Sequence, residues 1–232
     1  MKLCVIPARG GSKRIPRKNI KDFCGKPMIG YSIEAALQSE CFDQVVVSTD
    51  DQEIAEVAQS FGATVPFMRP DELSNDYAGT IPVIKHAIEW FEQHSQPPGL
   101  VCCLYATAPF VQAHTIQQAN AQLQKSQADY CFSVTSFGFP IQRAIKLTQD
   151  KRVEMFSPEN FNTRSQDLEE AYHDAGQFYW GKAEAWKAET RLFSDKATAF
   201  ILPRYLVQDI DTPEDWKRAE LMYTLLKHQN AI

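Results

Sequence analysis

A glycine-containing basic loop near the N-terminus has the clearest potential for chemistry in this sequence. It follows an apolar run at residues 3–7 and reads ARGGSKRIPRKN over residues 8–19. Adjacent glycines let backbone N–H groups approach a ligand closely, and turns of this kind form anion-binding concavities. Arginine and lysine add bidentate and point-charge contacts to phosphate. The loop matches neither the Walker A pattern nor G-x-G-x-x-G. It therefore predicts a phosphate site of another type, with a solvated basic loop as the alternative.

The charge distribution points to a local anionic ligand. Eight of the 24 Lys and Arg residues lie within residues 2–26, where Asp22 is the one acidic residue, although the whole chain has a net charge of −5. A nucleic-acid-binding domain is usually basic throughout, so a basic patch on an otherwise acidic protein favours a small anionic ligand.

Two aspartates near the C-terminus, Asp209 and Asp211, form the second candidate constellation. On an extended segment, side chains two residues apart point to the same face, so both carboxylates would converge while Ile210 packs the other way. Mg²⁺ is commonly held by one or two carboxylates beside substrate phosphates. A polar edge strand leading into a helix N-cap explains the same residues equally well, and the pattern leaves both interpretations open.

A third polar stretch follows an irregular segment and contains Arg164, Gln166, Asp167, His173, Asp174, Gln177 and Tyr179. Its composition slightly favours a surface loop over a substrate pocket. The sequence shows no Ser/His/Asp spacing and no cysteine with an evident activating partner. The six cysteines have no zinc-ligand spacing and are expected to be buried, reduced thiols.

The elements that must position these residues alternate between strand and helix patterns. Apolar runs predict strands at residues 3–7, 45–47, 64–68, 100–106 and 130–134. Helical spacing predicts helices over residues 29–37, 54–61, 83–91 and 116–123. The alternation breaks over residues 136–172, which predicts irregular or antiparallel structure, and extended patterns return at 177–180, 199–202 and 207–211. A last helix is predicted from Thr212 as N-cap and Pro213 at the first position, with Asp215 in its first turn.

This alternation predicts one α/β domain over residues 1–232, with a mainly parallel sheet covered by helices on both faces. Ligands then bind beyond the carboxyl ends of the strands. A content of 44% hydrophobic and 23% charged residues excludes a disordered, collagen-like or coiled-coil chain. No apolar run approaches the ~20 residues that span a bilayer, and the N-terminus lacks a signal-peptide pattern. We therefore expect a cytoplasmic protein that binds neither membranes nor nucleic acid.

Three ordered motifs resemble those of the cytidylyltransferases that activate sialic acids and related sugars. Residues 8–19 resemble A-R-x-x-S-K-x-x-x-x-K-N, residues 69–76 (RPDELSND) resemble R-P-x-x-L-x-x-D, and residues 209–215 (DIDTPED) resemble D-I-D-x-x-x-D. The motifs span almost the whole chain. Residues 139–144 (FPIQRA) and 164–181 (RSQDLEEAYHDAGQFYWG) are most similar to the branch of this family that activates pseudaminic acid.

The resemblance implies a three-layer, Rossmann-like nucleotide-diphospho-sugar transferase fold with a nucleotide site and a metal site. The residues implied to bind the nucleotide are Arg9, Gly10, Gly11, Ser12, Lys13, Lys18, Asn19, Arg69, Asp76 and Thr80. Of these, Asp76 and Thr80 would support the cytidine pocket. Asp209 and Asp211 would hold Mg²⁺, and Arg9, Lys18 and Asp211 would be the catalytic residues.

The resemblance also implies a sugar site shared across a homodimer. Arg164 would bind the sugar carboxylate, Gln177 and Tyr179 would face the sugar, and residues 136–172 would form the dimerisation segment that closes the partner's site. The sialic-acid branch has L-Q-P-T-S-P where this chain has LYATAP at residues 104–109. Tyr105 therefore replaces a sugar-contacting amide, which suits a nine-carbon acid substituted differently from N-acetylneuraminic acid.

The implied reaction is transfer of CMP from CTP to the anomeric hydroxyl of a nonulosonic acid, with release of pyrophosphate. Pseudaminic acid, used in flagellin and cell-surface glycans, is the first candidate acceptor. The alternatives are activation of N-acetylneuraminic or legionaminic acid, and a catalytically silent homologue that binds a nucleotide or sugar. Retention of both Asp209 and Asp211 argues against the silent homologue.

Overall fold

A central six-stranded sheet organises the computed structural model of this chain, which describes residues 1–229 and residue 232. The strands are, in chain order, β1 (Lys2–Pro7), β2 (Asp22–Phe23), β3 (Lys26–Pro27), β4 (Gln44–Ser48), β5 (Leu100–Leu104), β6 (Tyr130–Ser136), β7 (Ile145–Leu147), β8 (Val153–Met155), β9 (Tyr172–Lys182) and β10 (Ala197–Ile201). The helices are α1 (Met28–Gln38), α2 (Gln52–Ser60), α3 (Thr80–His94), α4 (Ala113–Lys125), α5 (Ala183–Lys187) and α6 (Pro213–His228).

The strand order in the central sheet is β10-β6-β9-β5-β1-β4. Strand β9 runs antiparallel to both of its neighbours, whereas the other pairings in this sheet are parallel. Parallel strands are buried on both faces and therefore read as continuous apolar runs, as Val45, Val46 and Val47 do in β4. The predicted mainly parallel sheet is confirmed.

Helices cover both faces of the sheet and complete the predicted three-layer architecture. On one face, α1, α2 and α4 bury Ile33, Ile54 and Ile116 against the strands. On the other, α3 and α5 bury Ile88 and Trp186. The match between these buried residues and the helical spacing in the sequence explains why the helices were predictable.

Two predicted strands differ from the structure. Residues 64–68 contribute isolated bridges, from Thr64 to Val46 and from Met68 to Thr49, instead of a strand. Residues 207–211 were predicted as a strand but lie outside the sheet, after a 3₁₀ turn at Arg204–Leu206. The apolar position in this segment was predicted correctly, because Ile210 is buried. Ile210 packs against α6 and the β2–β3 hairpin, however, and not within a sheet.

A separate aromatic cluster attaches the C-terminal helix to the segment after the basic loop. Phe23 lies against Tyr31, Trp216 and Tyr223, with ring centroids 5.4–5.7 Å apart in edge-to-face arrangements. Such pairs add to the stability that apolar burial provides. The cluster therefore holds the beginning of α6 beside the loop that follows β1.

Residues 136–172, which we call the arm, form the antiparallel hairpin β7–β8 and several 3₁₀ turns, as the broken alternation predicted. Many of its large apolar side chains are exposed, including Phe139, Leu147 and Phe161. Within residues 1–229 and 232, no helix is both long enough and apolar enough to cross a membrane.

Candidate active site

A cavity of about 670 Å³ lies where the polypeptide leaves the carboxyl ends of β1 and β5. This is the edge at which ligands bind in open α/β sheets. The residues that line it are Pro7, Arg9, Ser12, Lys13, Arg14, Lys18, Asn19, Arg69, Asp76, Ala78, Gly79, Thr80, Val83, Tyr105, Ala106, Thr107 and Asp211. The cavity therefore brings together most of the nucleotide-site residues that the sequence predicted.

Two aspartates that follow β4 fix the shape of the basic loop. The backbone N–H of Gly10 donates to Asp50 Oδ1 over 2.9 Å. A Cβ at position 10 would lie 2.7 Å from Asp51 Oδ2, so this close approach requires glycine. Arg17 Nη1 and Nη2 donate to both Asp51 oxygens over 2.5 and 2.9 Å, and Arg17 also pairs with Glu53. The bond from Arg17 holds the pKa of Asp51 below its ordinary value.

The remaining cations of the loop face the cavity in two groups. Arg9 Nη1 lies 2.7 Å from Asp76 Oδ1, and Lys13 Nζ lies 2.5 Å from Asp76 Oδ2. These bonds, that from Lys13 first, lower the pKa of the Asp76 carboxyl. A carboxylate that already joins two cations shows that they converge within the reach of a single anionic group.

The second group of cations joins the two ends of the chain. Lys18 Nζ donates to the Ile210 carbonyl over 2.8 Å and lies 3.3 Å from Asp211 Oδ1, across 193 positions of sequence. Arg14 Nη2 lies 2.8 Å from Asp211 Oδ2. The N-terminal basic loop and Asp211 therefore form one site, whereas Asp209 is not among the described residues that line the cavity.

The aspartate pair has the donor chemistry that a hard divalent cation requires. Ile210 is 2% exposed, and a capping box between Thr212 and Asp215 starts α6 directly after Asp211. Partial desolvation, followed by repulsion from Asp211, raises the pKa of Asp209. A bound cation would relieve that repulsion. In the described part of the chain, no cluster of three or more His, Cys, Asp or Glu residues could hold a metal alone. Two carboxylates completed by phosphate oxygens and water fit Mg²⁺.

Asn19 and Arg69 line the cavity and hold neighbouring segments in place. The Asn19 side-chain amide donates to the Arg9 carbonyl over 2.9 Å, which fixes the start of the loop. The buried Arg69 donates through Nε to Ser74 Oγ over 3.2 Å, and its Nη2 lies 3.6 Å from Asp50. That Nη2 atom is itself buried and faces Asp50, so Arg69 supports the wall of the cavity together with the aspartate that holds the loop.

The predicted sugar-side residues occupy three different positions. Tyr105 lines the cavity, with its hydroxyl 3.1 Å from Thr80 Oγ1. Gln177 and Tyr179 are only 4% and 2% exposed and lie behind this wall, where the Gln177 amide donates to the Leu206 carbonyl over 2.6 Å. Arg164 is exposed on the arm and donates through Nε to Asp167 over 2.6 Å. It is not among the described residues that line the cavity of its own chain.

Arg14 is the main site residue that the sequence analysis did not select. It lies inside the recognised loop but at a variable position of the motif, between the fixed Lys13 and Lys18. Its basic side chain within the recognised loop was the available signal, because residues 14–18 form bends and turns and therefore have no helical spacing. The structure places Arg14 and Lys18 on the same aspartate.

The cavity is lined by clustered cations, by the carboxylates of Asp76 and Asp211, and by an uncharged polar wall, so it offers cationic groups for phosphates beside polar groups for other parts of a substrate. The fold and site define a nucleotidyltransferase. A model of the cytidylyltransferase family matches residues 3–224. The chain belongs to the cytidylyltransferase family, and its members are CTP-dependent nucleotidyltransferases.

Similar proteins agree with this assignment. A pseudaminic acid cytidylyltransferase of Campylobacter jejuni is 50% identical over 99% of both chains. The CMP-N,N'-diacetyllegionaminic acid synthase of Legionella pneumophila is 34% identical over 96% of both. A solved CMP:2-keto-3-deoxy-manno-octonic acid synthetase complexed with CTP has the same fold, with a TM-score of 0.69 at 17% identity, over 97% of this chain and 98% of the other.

Proposed function

We propose that this enzyme transfers CMP from CTP to the anomeric hydroxyl of a nonulosonic acid, with pseudaminic acid as the acceptor, and releases pyrophosphate. The observation that carries the proposal is the contact of Lys18 and Arg14 with Asp211, which joins a phosphate-binding loop to a carboxylate pair. The 50% identity to a pseudaminic acid cytidylyltransferase over nearly the full length of both chains supports the choice of sugar.

In this proposal the basic loop binds the triphosphate and needs no covalent intermediate. Phosphoryl transfer depends mainly on positioning and on stabilisation of charge. Arg9 and Lys13 exchange Asp76 for phosphate oxygens, and Lys18 stabilises charge that develops on the α-phosphate and the departing pyrophosphate. Arg69 and Asn19 hold the nucleotide side of the cavity, and Asp76 and Thr80 support the cytidine pocket.

Asp209 and Asp211 are proposed to hold Mg²⁺, since their oxygen donors and mutual repulsion fit that ion. When bound, Mg²⁺ supplies Lewis-acid stabilisation of the phosphate charge and lowers the pKa of the incoming hydroxyl. Arg14 and Lys18 keep Asp211 beside the phosphate-binding loop, and the capping box fixes the backbone that follows it.

The arm is proposed to form the interface of a homodimer and to supply Arg164 to the sugar site of the partner. Its exposed apolar side chains need cover from water, and Arg164 stands outside the cavity of its own chain. Tyr105 of the same chain then forms the wall of the cavity that contacts the sugar. Because CTP is an intracellular substrate, we propose that the enzyme acts in the cytoplasm.

The decisive experiment assays pyrophosphate release with CTP and Mg²⁺ across pseudaminic, legionaminic and N-acetylneuraminic acids. We expect the highest kcat/KM for pseudaminic acid and a product with the mass of its CMP conjugate. A higher kcat/KM for another acid would show that this acid is the acceptor, and the proposed transfer of CMP would still hold. No pyrophosphate release with any acid, at several metal concentrations, would favour the silent binding protein.

A further inference from the structure

The two cations that contact Asp211 are held in different ways. Lys18 Nζ lies 3.3 Å from Asp211 Oδ1 and also donates to the Ile210 carbonyl over 2.8 Å, and its side chain is 19% exposed. Arg14 Nη2 lies 2.8 Å from Asp211 Oδ2, and its side chain is 66% exposed. Among residues 1–229 and 232, Asp211 is the one ion-pair partner of Arg14. Lys18 is therefore fixed to the backbone before α6, whereas Arg14 is attached by a single exposed contact.

Arg17, three residues further along the same loop, is an example of an arginine that is firmly held. Its guanidinium donates to both oxygens of Asp51 and pairs with Glu53. It is not among the described residues that line the cavity, whereas Arg14 is. An exposed ion pair between two flexible side chains contributes little to stability. The contact between Arg14 and Asp211 can therefore be exchanged for a stronger one at small cost.

Both oxygens of Asp211 already face a positive charge, so a divalent cation must compete for them. The formal charges of Lys18 and Arg14 cancel those of Asp209 and Asp211. A divalent cation added to this neutral group leaves an excess of positive charge unless an anion arrives with it. Of the two side chains, Arg14 is the one that can leave, because Lys18 keeps its bond to the Ile210 carbonyl.

The cavity offers Arg14 a different anion once a nucleotide is present. Arg14 lines the same cavity as Ser12, Lys13 and Lys18, the residues to which the proposed function assigns the triphosphate. A guanidinium binds phosphate oxygens bidentately, and such charge-assisted pairs are stronger than a single exposed contact. The triphosphate and the divalent cation can then divide this ion pair between them, because the phosphates attract Arg14 and the cation attracts Asp211.

We propose that Arg14 takes the place of the divalent cation at Asp211 until CTP binds, and that it then turns to the β- and γ-phosphates of the nucleotide. This inference rests on the proposed function. Arg14 thereby disfavours filling of the metal site in the absence of nucleotide, so that metal and CTP enter together. It also positions the two phosphates that leave as pyrophosphate. The exchange replaces one ion pair by two others and involves no covalent step.

Titration of the nucleotide-free enzyme with Mn²⁺, followed by electron paramagnetic resonance of the unbound ion, tests the first half of the exchange. Arg14→Met keeps the apolar stem and removes the guanidinium. We expect the Kd for Mn²⁺ to fall roughly three- to ten-fold, the scale of an exposed ion pair together with repulsion between two cations. The matched control is Arg218→Met, because Arg218 is similarly exposed and lies 3.4 Å from Asp215 Oδ1, away from the cavity lining. It should leave the Kd unchanged.

Calorimetric titration of CTP and of CMP at saturating Mg²⁺, without a sugar acid, tests the second half. CMP lacks the β- and γ-phosphates. Arg14→Met should therefore raise the Kd for CTP roughly ten-fold or more, the scale of one charge-assisted hydrogen bond, and change the Kd for CMP less than about three-fold. Arg218→Met should change neither value.

An unchanged or increased Kd for Mn²⁺ in Arg14→Met, or equal losses of affinity for CTP and CMP, would overturn the inference. Mn²⁺ binding that Asp211→Asn does not weaken would overturn it as well. If Arg14→Met does not fold, Arg14→Lys decides the matter, because it keeps the charge but loses the bidentate fork and should weaken CTP alone. A wild-type enzyme that binds Mn²⁺ and CTP but releases no pyrophosphate with any sugar acid would refute the proposed reaction and leave both binding comparisons valid.

Discussion

Asp211 is the residue at which the two ends of the chain meet, because its carboxylate contacts both Arg14 and Lys18. Its immediate neighbours have structural tasks. Ile210 is buried, while Thr212 and Asp215 cap the helix that follows. Asp211 therefore combines a fixed backbone with a carboxylate that lines the cavity beside two cations.

Asp211→Ala is expected to abolish turnover while CTP binding stays measurable. The variant loses a carboxylate of the proposed metal site, whereas the cations that bind the triphosphate remain. Pyrophosphate release and calorimetric titration of CTP measure the two properties separately. Glu214→Ala, an exposed change three residues further along, should behave like the wild type. Normal turnover in Asp211→Ala would remove Asp211 from the metal site.

Lys18→Met keeps most of the apolar stem of the side chain and removes the ammonium group. We expect kcat/KM to fall roughly 10²- to 10³-fold, the cost of losing one group that stabilises charge in the transition state. Lys21→Met is the matched control, because Lys21 lies over the Trp216 ring and not in the cavity. Similar losses in both variants would indicate a general effect on the loop and not catalysis by Lys18.

At the scale of elements, the loop after β1 is attached to the start of α2 by Arg17. This residue has a φ of 56°, which is uncommon for a residue with a side chain. Its guanidinium reaches Asp51, the N-cap of α2, through two bonds. Arg17 is therefore a basic residue of the loop whose charge holds the loop in place instead of binding substrate.

Arg17→Ala is expected to lower the free energy of unfolding by about 1 kcal/mol at neutral pH, a modest value because the ion pair is partly exposed. Arg17 depresses the pKa of Asp51 in the folded state, so the pair stabilises the protein above the unfolded pKa of about 3.9. That contribution is lost as the pH falls through the folded pKa. Urea unfolding between pH 3 and pH 7 should show the difference from the wild type shrinking below about pH 4.

Arg191→Ala, at an exposed position far along the chain, is the control for this measurement and should show no such pH dependence. A constant difference between wild type and Arg17→Ala across the whole pH range would contradict the ion-pair explanation. It would indicate that the positive φ of residue 17, and not the ion pair, determines the difference in the free energy of unfolding.

The sequence predicted the loop, the aspartate pair and the layers, because each depends on local pattern. Adjacent glycines, an i, i+2 carboxylate pair and helical spacing are all visible in one stretch of chain. The burial of Gln177 and Tyr179 was not predictable in this way. They belong to a run that looks like a regular strand. Tyr179 keeps the regular register opposite Phe132, but Gln177 lies in a bulge at residues 175–178, opposite Ser133, which is 44 positions earlier in the chain. Gly176 is the one local hint, and glycine alone does not identify a bulge.

At the scale of the whole molecule, the arm leaves apolar side chains exposed that a lone protomer does not cover. Leu147→Glu, at a side chain that is 68% exposed, is expected to convert a dimer to a monomer in sedimentation or light-scattering experiments. Charge in the centre of an apolar interface is costly to bury. Leu221→Glu on α6, at 66% exposure, is the matched control and should not change the mass. A monomeric wild-type protein at micromolar concentration would contradict the proposed homodimer.

Mixing two inactive variants tests whether Arg164 acts across the proposed dimer. In a mixed dimer, a chain with Arg164→Ala keeps its own Asp211 and receives Arg164 from a partner that carries Asp211→Ala. Random exchange of subunits in a two-fold dimer should restore roughly a quarter of the wild-type activity. If Arg164 serves the site of its own chain, the mixture would stay as inactive as its components.

The antiparallel strand β9 has a consequence for how the protein is made. It lies between β5 and β6, and in the part of the chain that the structure describes no other strand pairs with the edges of β5 and β6 that face each other. A nascent polypeptide that has emerged only as far as residue 170 would carry the sheet fragment β4-β1-β5 and an unpaired β6, because β10, the other neighbour of β6, also follows β9 in the chain. Backbone groups would be unsatisfied along the free edge of β5 and along both edges of β6. Such edges invite pairing with other chains. We therefore expect ribosome-bound intermediates of this protein to depend on chaperones until the eleven residues of β9 have emerged.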